Sequence, residues 1–221
     1  MATFNQTLKI KYSQVIDKID KTCKNNATQT PAIIAASKTQ NTAEIQGLID
    51  LGINNFGENY VQEALSKRKI FKKITLHLIG NLQTNKAKQA AELFDSIHTV
   101  HKNKLATALE KACVQLNKEI TIFIQVNIAN EPQKQGVSEE GLDDLVKHVQ
   151  NNCPHLKLIG LMMIPPAGEP PTPYFRKLKK LAEAYNLKNL SMGMSNNYQE
   201  AIKEGATHIR IGSAFFGERK T

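Results

Sequence analysis

The sequence predicts an α/β protein, a single closed (β/α)₈ barrel of the TIM type with an additional N-terminal helix. β-branched apolar segments alternate with segments of helical periodicity along the chain. Eight such strand–helix units fit within 221 residues, near the lower size limit of this barrel. No linker or change of composition divides the chain, so we expect residues 1–221 to form one domain. An open, doubly wound sheet is the structural alternative, because one miscounted strand would leave the sheet unclosed.

The predicted strands are short apolar runs, several of them rich in β-branched residues, and the run that begins at Ile120 is one of the two longest. In chain order they cover 32–37, 53–57, 74–80, 95–100, 120–128, 156–164, 187–192 and 208–211. A regular alternation of strands and helices requires parallel strands joined by right-handed crossovers. The carboxyl ends of all eight strands should therefore meet at one mouth of the barrel.

Apolar residues at every third or fourth position, together with capping residues, define the helices. Asn41 with Glu44 is a capping box that begins the second helix, and Leu51 with Gly52 ends it. Ser138 followed by two glutamates begins the sixth. The predicted helices cover 6–22, 41–51, 60–69, 86–93, 105–116, 138–149, 178–185 and 198–204. The proline-rich segment 164–173 is predicted to be a stiff surface loop that forms a rim or lid.

The charge balance favours anionic ligands. The chain has 29 Lys and Arg against 20 Asp and Glu, a formal charge of +9. The basic groups at 67–73 and 176–180 fall on predicted helices, where we expect a solvated face. No aromatic residues that could stack bases are interleaved with them, so nucleic acid is not an expected partner. A basic nucleic-acid-binding module is kept only as a competing hypothesis.

Targeting features are absent from the sequence. No apolar run reaches the length that spans a membrane, and residues 1–5 lack the apolar core of a secretory signal. Cys23, Cys113 and Cys153 are odd in number and have no Cys-x-x-Cys spacing, so we expect buried, unpaired thiols. Together these features predict a cytoplasmic protein.

Lys38 follows the first predicted strand, where a buried segment should emerge at the barrel mouth. An amine beside an apolar wall is more often neutral than one in water, and a neutral amine can attack an aldehyde to form a Schiff base. A lysine at a strand end can also simply extend its ammonium group to solvent. Lys38 alone does not separate these interpretations.

Two turns of small residues follow the last two strands and indicate a phosphate site. Met194 and Ser195 lie in the first turn, and Gly212 and Ser213 lie in the second. In barrels of this type, phosphate is often held by the loops after strands seven and eight. Glycine permits close backbone approach, serine adds hydroxyl donors, and the helix after Asn197 offers N-terminal amides.

Arg210 lies between Ile209 and Ile211 in the eighth strand and should therefore point into the barrel. A buried arginine needs a partner. A ligand phosphate or ring nitrogen would supply one, and an internal ion pair with an acid such as Glu58 is the alternative.

Other polar residues carry weaker signals. His98 and His101 have no further ligand placed to complete a metal site and are predicted to be structural. The segments 57–60 and 80–86 follow strands two and three, and either line the mouth or cap helices. Neither a nucleophile elbow nor a Gly-rich nucleotide fingerprint is present.

Seven motifs, in the same order, resemble those of the YggS/PROSC group, the pyridoxal phosphate homeostasis protein family. The resemblance extends over nearly the whole chain. The motifs are Ala36–Thr39, Phe56–Glu63, His77–Lys86, Val126–Asn127 with Glu131, Lys134 and Gly136, Gly160–Met162, Gly193–Ser195 and Arg210–Gly212.

The resemblance implies a barrel like the N-terminal domain of bacterial alanine racemase, with pyridoxal 5'-phosphate (PLP) bound to Lys38 as an internal aldimine. It implies phosphate contacts from Ser195, Gly212 and Ser213, and it places Arg210 beside the pyridine nitrogen. Asn59, after the second strand, and Met194, after the seventh, complete the predicted cofactor-binding set. Because arginine keeps its proton, the ring would stay unprotonated and would be a weak electron sink.

The resemblance implies a monomeric PLP carrier or buffer, with PLP-dependent apo-enzymes as candidate recipients of the cofactor, and not a dedicated enzyme. A racemase of this fold needs a second domain and a partner's tyrosine, and the sequence ends at Thr221. Weak racemase-like or transaminase activity is the alternative. Lys134 is either a second amine for cofactor transfer or an ordinary surface lysine. His101 and Asn197 depart from the family pattern, which commonly has Asp at both positions, although Asn197 should still cap the following helix.

Overall fold

The computed structural model describes residues 2–217, with side chains from residue 6 onward. The expectation that residues 1–5 do not form a secretory signal lies outside the residues whose side chains are described. The strands are β1 Ala32–Ala36, β2 Asn55–Glu58, β3 Thr75–Leu78, β4 Ser96–Val100, β5 Ile120–Gln125, β6 Leu156–Met162, β7 Asn189–Met194 and β8 His208–Ile211. The α-helices are α1 Ala2–Asn26, α2 Thr42–Asp50, α3 Val61–Ile70, α4 Ala87–Leu93, α5 Asn103–Leu116, α6 Glu139–Asn152, α7 Thr172–Ala184, α8 Tyr198–Lys203 and α9 Ser213–Phe216. A 3₁₀ turn, Thr84–Lys86, precedes α4.

The eight strands form one closed parallel barrel in sequence order. The first and last strands close it, with Ala32 opposite His208 and Ala35 opposite Ile211. The (β/α)₈ prediction is therefore confirmed, and the open-sheet alternative is wrong. The layer between strands and helices is apolar, and Phe56, Phe94 and Phe175 are completely buried in it.

Several predicted boundaries are wrong, each for a local reason. β5 ends at Gln125 because the Gln125 carbonyl and the Asn127 N–H bond to the backbone of Val137, which forms an isolated bridge with Val126. β7 begins and ends two residues later than predicted, so Met194 is its last residue. α7 begins at Thr172, inside the predicted proline loop, because Pro173 fits the first helical turn, where no backbone N–H is needed.

The predicted capping box at the start of α2 is present. The Asn41 side chain accepts the Glu44 N–H at 2.9 Å, and the Glu44 carboxylate accepts the Asn41 N–H at 3.0 Å. Asn41→Ala should lower the free energy of unfolding by about 1 kcal/mol in urea titrations, because an N–H loses its acceptor. The control is Thr42→Ala, an exposed residue in the same turn. Equal stability of both variants would contradict the capping role.

The basic group at 67–73 is the solvated face that we expected only at Lys69, Lys72 and Lys73, which are exposed. Lys67 is buried. Arg68 donates hydrogen bonds to the carbonyls of Ile74 and Leu93 and pairs with Asp95. The sequence pattern missed this because α3 has no continuous apolar face that would indicate which side is buried. Arg176 on α7, in contrast, is exposed as predicted.

The three cysteines are buried and unpaired, as predicted. None of the helices in the described part of the chain has the length and apolar character that crossing a bilayer requires.

Candidate functional site

A cavity of about 480 Å³ lies at the carboxyl ends of the strands. It is lined by all seven predicted site residues, Lys38, Asn59, Met194, Ser195, Arg210, Gly212 and Ser213. The other seven lining residues were not among the predicted site residues: Ala36, Gln40, Ile79, Ile164, Asn196, Phe216 and Gly217. The barrel thus brings together residues that are up to 175 positions apart in the chain. That the seven bind a cofactor stays a prediction.

Lys38 lies two residues beyond β1, half-buried, with its Nζ 5.2 Å from the centroid of the Tyr60 ring. Its backbone is fixed on both sides. The Ser37 carbonyl accepts a hydrogen bond from Lys67 Nζ at 2.5 Å, and the Thr39 N–H donates to the Glu63 carboxylate at 3.2 Å. The amine is therefore presented to the cavity from an anchored strand end, which a lysine that merely reaches solvent would not require.

A buried ion pair lies behind Lys38, between the strand wall and α3. Lys67 Nζ and the Ser37 hydroxyl both donate to Oε1 of Glu58, which has no exposed surface. Burial, together with the neighbouring Glu63 carboxyl, raises the pKa of Glu58 by more than Lys67 and Ser37 lower it. No donor in the described part of the chain faces the second oxygen, Oε2. This cluster ties the end of β1 to β2 and α3.

Arg210 points into the barrel, but the suggested ion pair with Glu58 is wrong, because Glu58 pairs with Lys67. The Arg210 guanidinium donates to Ser191 Oγ at 2.7 Å and to the Met163 carbonyl at 2.9 Å. Burial lowers its pKa to about 10, so it stays charged near neutral pH. Among residues 6–217 no carboxylate is paired with it. An electron-rich ligand in the cavity would complement this charge.

The two small-residue turns meet at Ser195. Its Oγ accepts the N–H groups of Gly212 at 3.0 Å and Ala214 at 3.2 Å. Gly193 makes the first turn possible, because it has φ = +92° and a Cβ there would lie 2.6 Å from the Ala201 side chain. Because Oγ accepts both amides, its own O–H is left to donate toward the cavity, as a bound phosphate would require.

The two departures from the family pattern have defined positions. Asn197 does not cap α8 with its side chain, so that expectation is wrong. Its Oδ1 instead accepts the Met194 N–H at 2.7 Å, which fixes the turn before Ser195. His101 Nδ1 donates to the Thr99 carbonyl at 3.0 Å, and burial lowers the pKa of this imidazole.

Three histidines lie inside the barrel, His77, His98 and His208, and of these the sequence analysis had named only His98, as a structural histidine. His98 hydrogen-bonds His77 at 3.0 Å, and its ring lies edge-to-face against His208 at a centroid distance of 5.9 Å. Burial lowers the pKa of His77 and of His208 to about 4 and that of His98 well below its usual value. Within the described residues no cluster of three His, Cys, Asp or Glu has the arrangement of a metal site.

The neutral histidines should make stability dependent on pH. Because the pKa of His77 falls from 6.5 in the unfolded chain to about 4 in the fold, its contribution is present above pH 6.5 and is lost as the pH falls toward 4. Each such histidine adds a slope of up to about 1.4 kcal/mol per pH unit. Urea titrations between about pH 7 and about pH 5 should show this slope, and His77→Gln should reduce it. An unchanged slope in the variant would contradict the burial of a neutral His77.

The remaining rim residues have structural partners. Lys134 pairs with Glu131 and donates to the Pro165 carbonyl at 3.2 Å, so it joins the β5–α6 loop to the proline segment. It does not line the cavity that contains Lys38. The segments after β2 and β3 line a neighbouring depression, which includes Asn59 and Lys86. They therefore form part of the mouth.

Comparisons with known proteins show which proteins the whole chain resembles. The family model described as "Alanine racemase, N-terminal domain" matches residues 16–220. The "Pyridoxal phosphate homeostasis protein" of Aquifex aeolicus is 39% identical, and the match covers 94% of this chain and 96% of the relative. The solved structure of PipY from Synechococcus elongatus PCC7942 with PLP bound is 31% identical with a TM-score of 0.79, covering 90% of this chain and 100% of PipY.

A more distant likeness shows the fold alone. Alanine racemase from Clostridium difficile 630 is 12% identical with a TM-score of 0.73, and the match covers 98% of this chain and 60% of the racemase. The family assignment itself depends on the long matches at 30% identity and above. The chain belongs to the pyridoxal phosphate homeostasis protein family and to the wider family of the alanine racemase N-terminal domain.

Proposed function

We propose that this protein binds PLP reversibly as a Schiff base on Lys38 and buffers or carries the cofactor in the cell. One observation carries the proposal: an anchored amine, a buried cation and a phosphate-type turn line the same cavity. These groups match the three reactive parts of PLP, its aldehyde, ring nitrogen and phosphate. The names of the relatives support the same assignment.

Each site residue has a role in this proposal. Lys38 Nζ would replace the aldehyde oxygen, which leaves as water, and Arg210 would donate a hydrogen bond to the ring nitrogen. Ser195, Gly212 and Ser213 bind the phosphate, for which the Gly212 amide and the Ser195 hydroxyl already lie together. Asn59 and Met194 line the space around the ring. When bound, the cofactor supplies an electrophilic carbon and a pyridine ring.

The surroundings of Arg210 favour a carrier over an enzyme. Its acceptors are a hydroxyl and a carbonyl, both neutral, so the guanidinium keeps its charge and its protons. A ring nitrogen facing this group accepts a hydrogen bond without gaining a proton. Such a ring stabilises a carbanion poorly, which disfavours racemisation and transamination.

Incubation with single enantiomers of several amino acids tests this choice. The PLP-loaded protein should leave the enantiomeric ratio as free PLP at the same concentration leaves it. The control is Lys38→Ala mixed with the same amount of PLP. A shift that grows with time and with protein concentration, beyond that of both controls, would establish the racemase alternative.

We further propose that the whole chain is one cofactor-binding domain that acts as a cytoplasmic monomer and passes PLP to apo-enzymes. Light scattering of the loaded protein should give the mass of one chain. Delivery requires that the loaded protein restore the activity of a PLP-dependent apo-enzyme faster than the same concentration of free PLP does. Reactivation no faster than with free PLP would limit the role to buffering.

A further inference from the structure

We propose that His98 and Ser191 are positioning residues for Arg210, because they are the members nearest to Arg210 in a one-directional chain of hydrogen bonds that crosses the barrel core and fixes the guanidinium at the cavity. The proposal rests on the function proposed above, in which Arg210 contacts the PLP ring. It adds a role for a row of interior side chains that do not line the cavity themselves.

The chain contains five side chains from five strands. Arg210 Nη1 lies 2.7 Å from Ser191 Oγ, which lies 2.8 Å from His98 Nδ1. His98 Nε2 lies 3.0 Å from His77 Nδ1, and His77 Nε2 lies 3.0 Å from Asn55 Oδ1. All four distances are those of ordinary hydrogen bonds.

The two ends of the chain determine its direction. Arg210 can only donate, and the Asn55 carbonyl oxygen can only accept. If Ser191 gives its hydroxyl proton to His98 Nδ1, then His98 must carry its proton on Nε2 and donate it to His77 Nδ1. His77 then carries its proton on Nε2 and donates it to Asn55. This arrangement satisfies every atom in the chain, whereas the opposite one places the lone pairs of His77 and Asn55 against each other.

The members of the chain next to Arg210 are buried, so water cannot replace a hydrogen bond that is lost there. Ser191 and His98 have no exposed surface, and the His98 ring stacks on Phe123 with the ring centroids 4.2 Å apart. The interior of such a barrel is normally filled by bulky apolar side chains, so a polar row there is unusual. Burial also keeps both imidazoles neutral, because it lowers the pKa of each. Neither imidazole therefore carries a second N–H, which would change the direction of donation along the chain.

The consequence for Arg210 is a fixed acceptor. Because the only proton of Ser191 is used by His98, the serine oxygen presents a lone pair to Nη1 and cannot act as a donor there. Nη2 is held by the Met163 carbonyl. With both ends of the guanidinium bound to neutral acceptors, its remaining N–H groups are left for the cavity that it lines.

Nitrogen-15 NMR of the ligand-free protein, labelled at its six histidines, tests the chain directly. His77 and His98, assigned with His77→Gln and His98→Asn, should both be neutral with the proton on Nε2 at about pH 7. A proton on Nδ1 of His98, or a charged His98, would overturn the proposal.

Titration with PLP, followed by visible absorption, tests the effect on the site. Ser191→Ala and His98→Leu should each weaken PLP binding by about tenfold, since a hydrogen bond to a charged group is lost or left unaligned. His98→Asn should bind within about threefold of wild type, because its Oδ1 lies near the position of Nδ1 and still accepts from Ser191. The matched control is Ser96→Ala, a buried β4 serine whose Oγ has no partner among the described residues, and its affinity should be unchanged.

The two His98 variants separate positioning from general stability. In a purely structural role, PLP affinity should follow stability, so the His98 variant with the lower free energy of unfolding should also bind PLP more weakly. The positioning role instead predicts that asparagine binds PLP more tightly even where it is the less stable protein. Equal affinity of wild type, Ser191→Ala and both His98 variants would overturn the positioning role alone. Failure of the wild type to bind PLP would overturn the proposed function, and with it this inference.

Discussion

Lys38→Ala should abolish covalent retention of PLP. The amine is the group in the cavity that can bond to an aldehyde carbon, and alanine leaves the phosphate turn and Arg210 in place. After gel filtration the variant should retain no cofactor and show no visible band, whereas the wild type should retain both. Because Lys38 is half-buried at the mouth, the free energy of unfolding should change by no more than about 1 kcal/mol.

The matched control for this experiment is Lys134→Ala. Lys134 is also on the barrel rim, but it pairs with Glu131 and lies outside the lining of the cavity. It should retain PLP as the wild type does. Retention by Lys38→Ala together with loss in Lys134→Ala would move the attachment site to Lys134 and contradict our assignment.

Lys67→Met should lower the free energy of unfolding by about 3–5 kcal/mol, the cost of leaving a buried charge without its partner. Glu58 has no exposed surface, and Lys67 also supports the Ser37 carbonyl next to Lys38. We therefore expect weaker PLP retention in addition to the lower stability. Urea titration and PLP titration of the same protein measure the two effects.

A double variant shows whether the loss comes from the unpaired carboxylate. Glu58→Gln combined with Lys67→Met removes both charges and should recover part of the stability. Lys69→Met, at an exposed position on the same helix, is the control and should stay within about 0.5 kcal/mol of wild type. A loss below about 1 kcal/mol for Lys67→Met would contradict the burial of this ion pair.

The barrel was predictable because its signals are local. Each strand is a run of apolar residues next to a helical period, and the Asn41–Glu44 capping box is visible in the sequence. The end of β5 was not predictable, because Val126 and Ile128 are as apolar as the strand before them. Only the bridge from Val126 to Val137 shows that the strand ends there.

The candidate site was predicted in part for the same reason. Lys38, Ser195 and Gly212 each follow a strand end, and in a parallel barrel all strand ends meet at one mouth. Ile164 and Phe216 also line the cavity, but they are apolar residues without a distinctive motif. Whether such a residue lines a cavity depends on tertiary packing, which a local sequence pattern does not reveal.

The buried polar networks were missed because their partners are distant in sequence. Lys67 appeared to be one more charge in a basic run, and its pairing with Glu58 depends on how α3 rotates against β2. His98 and Ser191 are 93 positions apart. Strand parity offered one usable signal: His208 and Arg210 alternate along β8, so both point inward once the barrel is assumed.

The most direct test of the account is borohydride reduction of the PLP-loaded protein, followed by peptide mass mapping. Reduction makes the bond between the cofactor and its lysine permanent, so the modified residue can be located in the digest. We predict loss of the visible band and a single phosphopyridoxyl adduct, on the peptide that contains Lys38. An adduct on another lysine, or no adduct although PLP is bound, would contradict the central claim that Lys38 holds the cofactor.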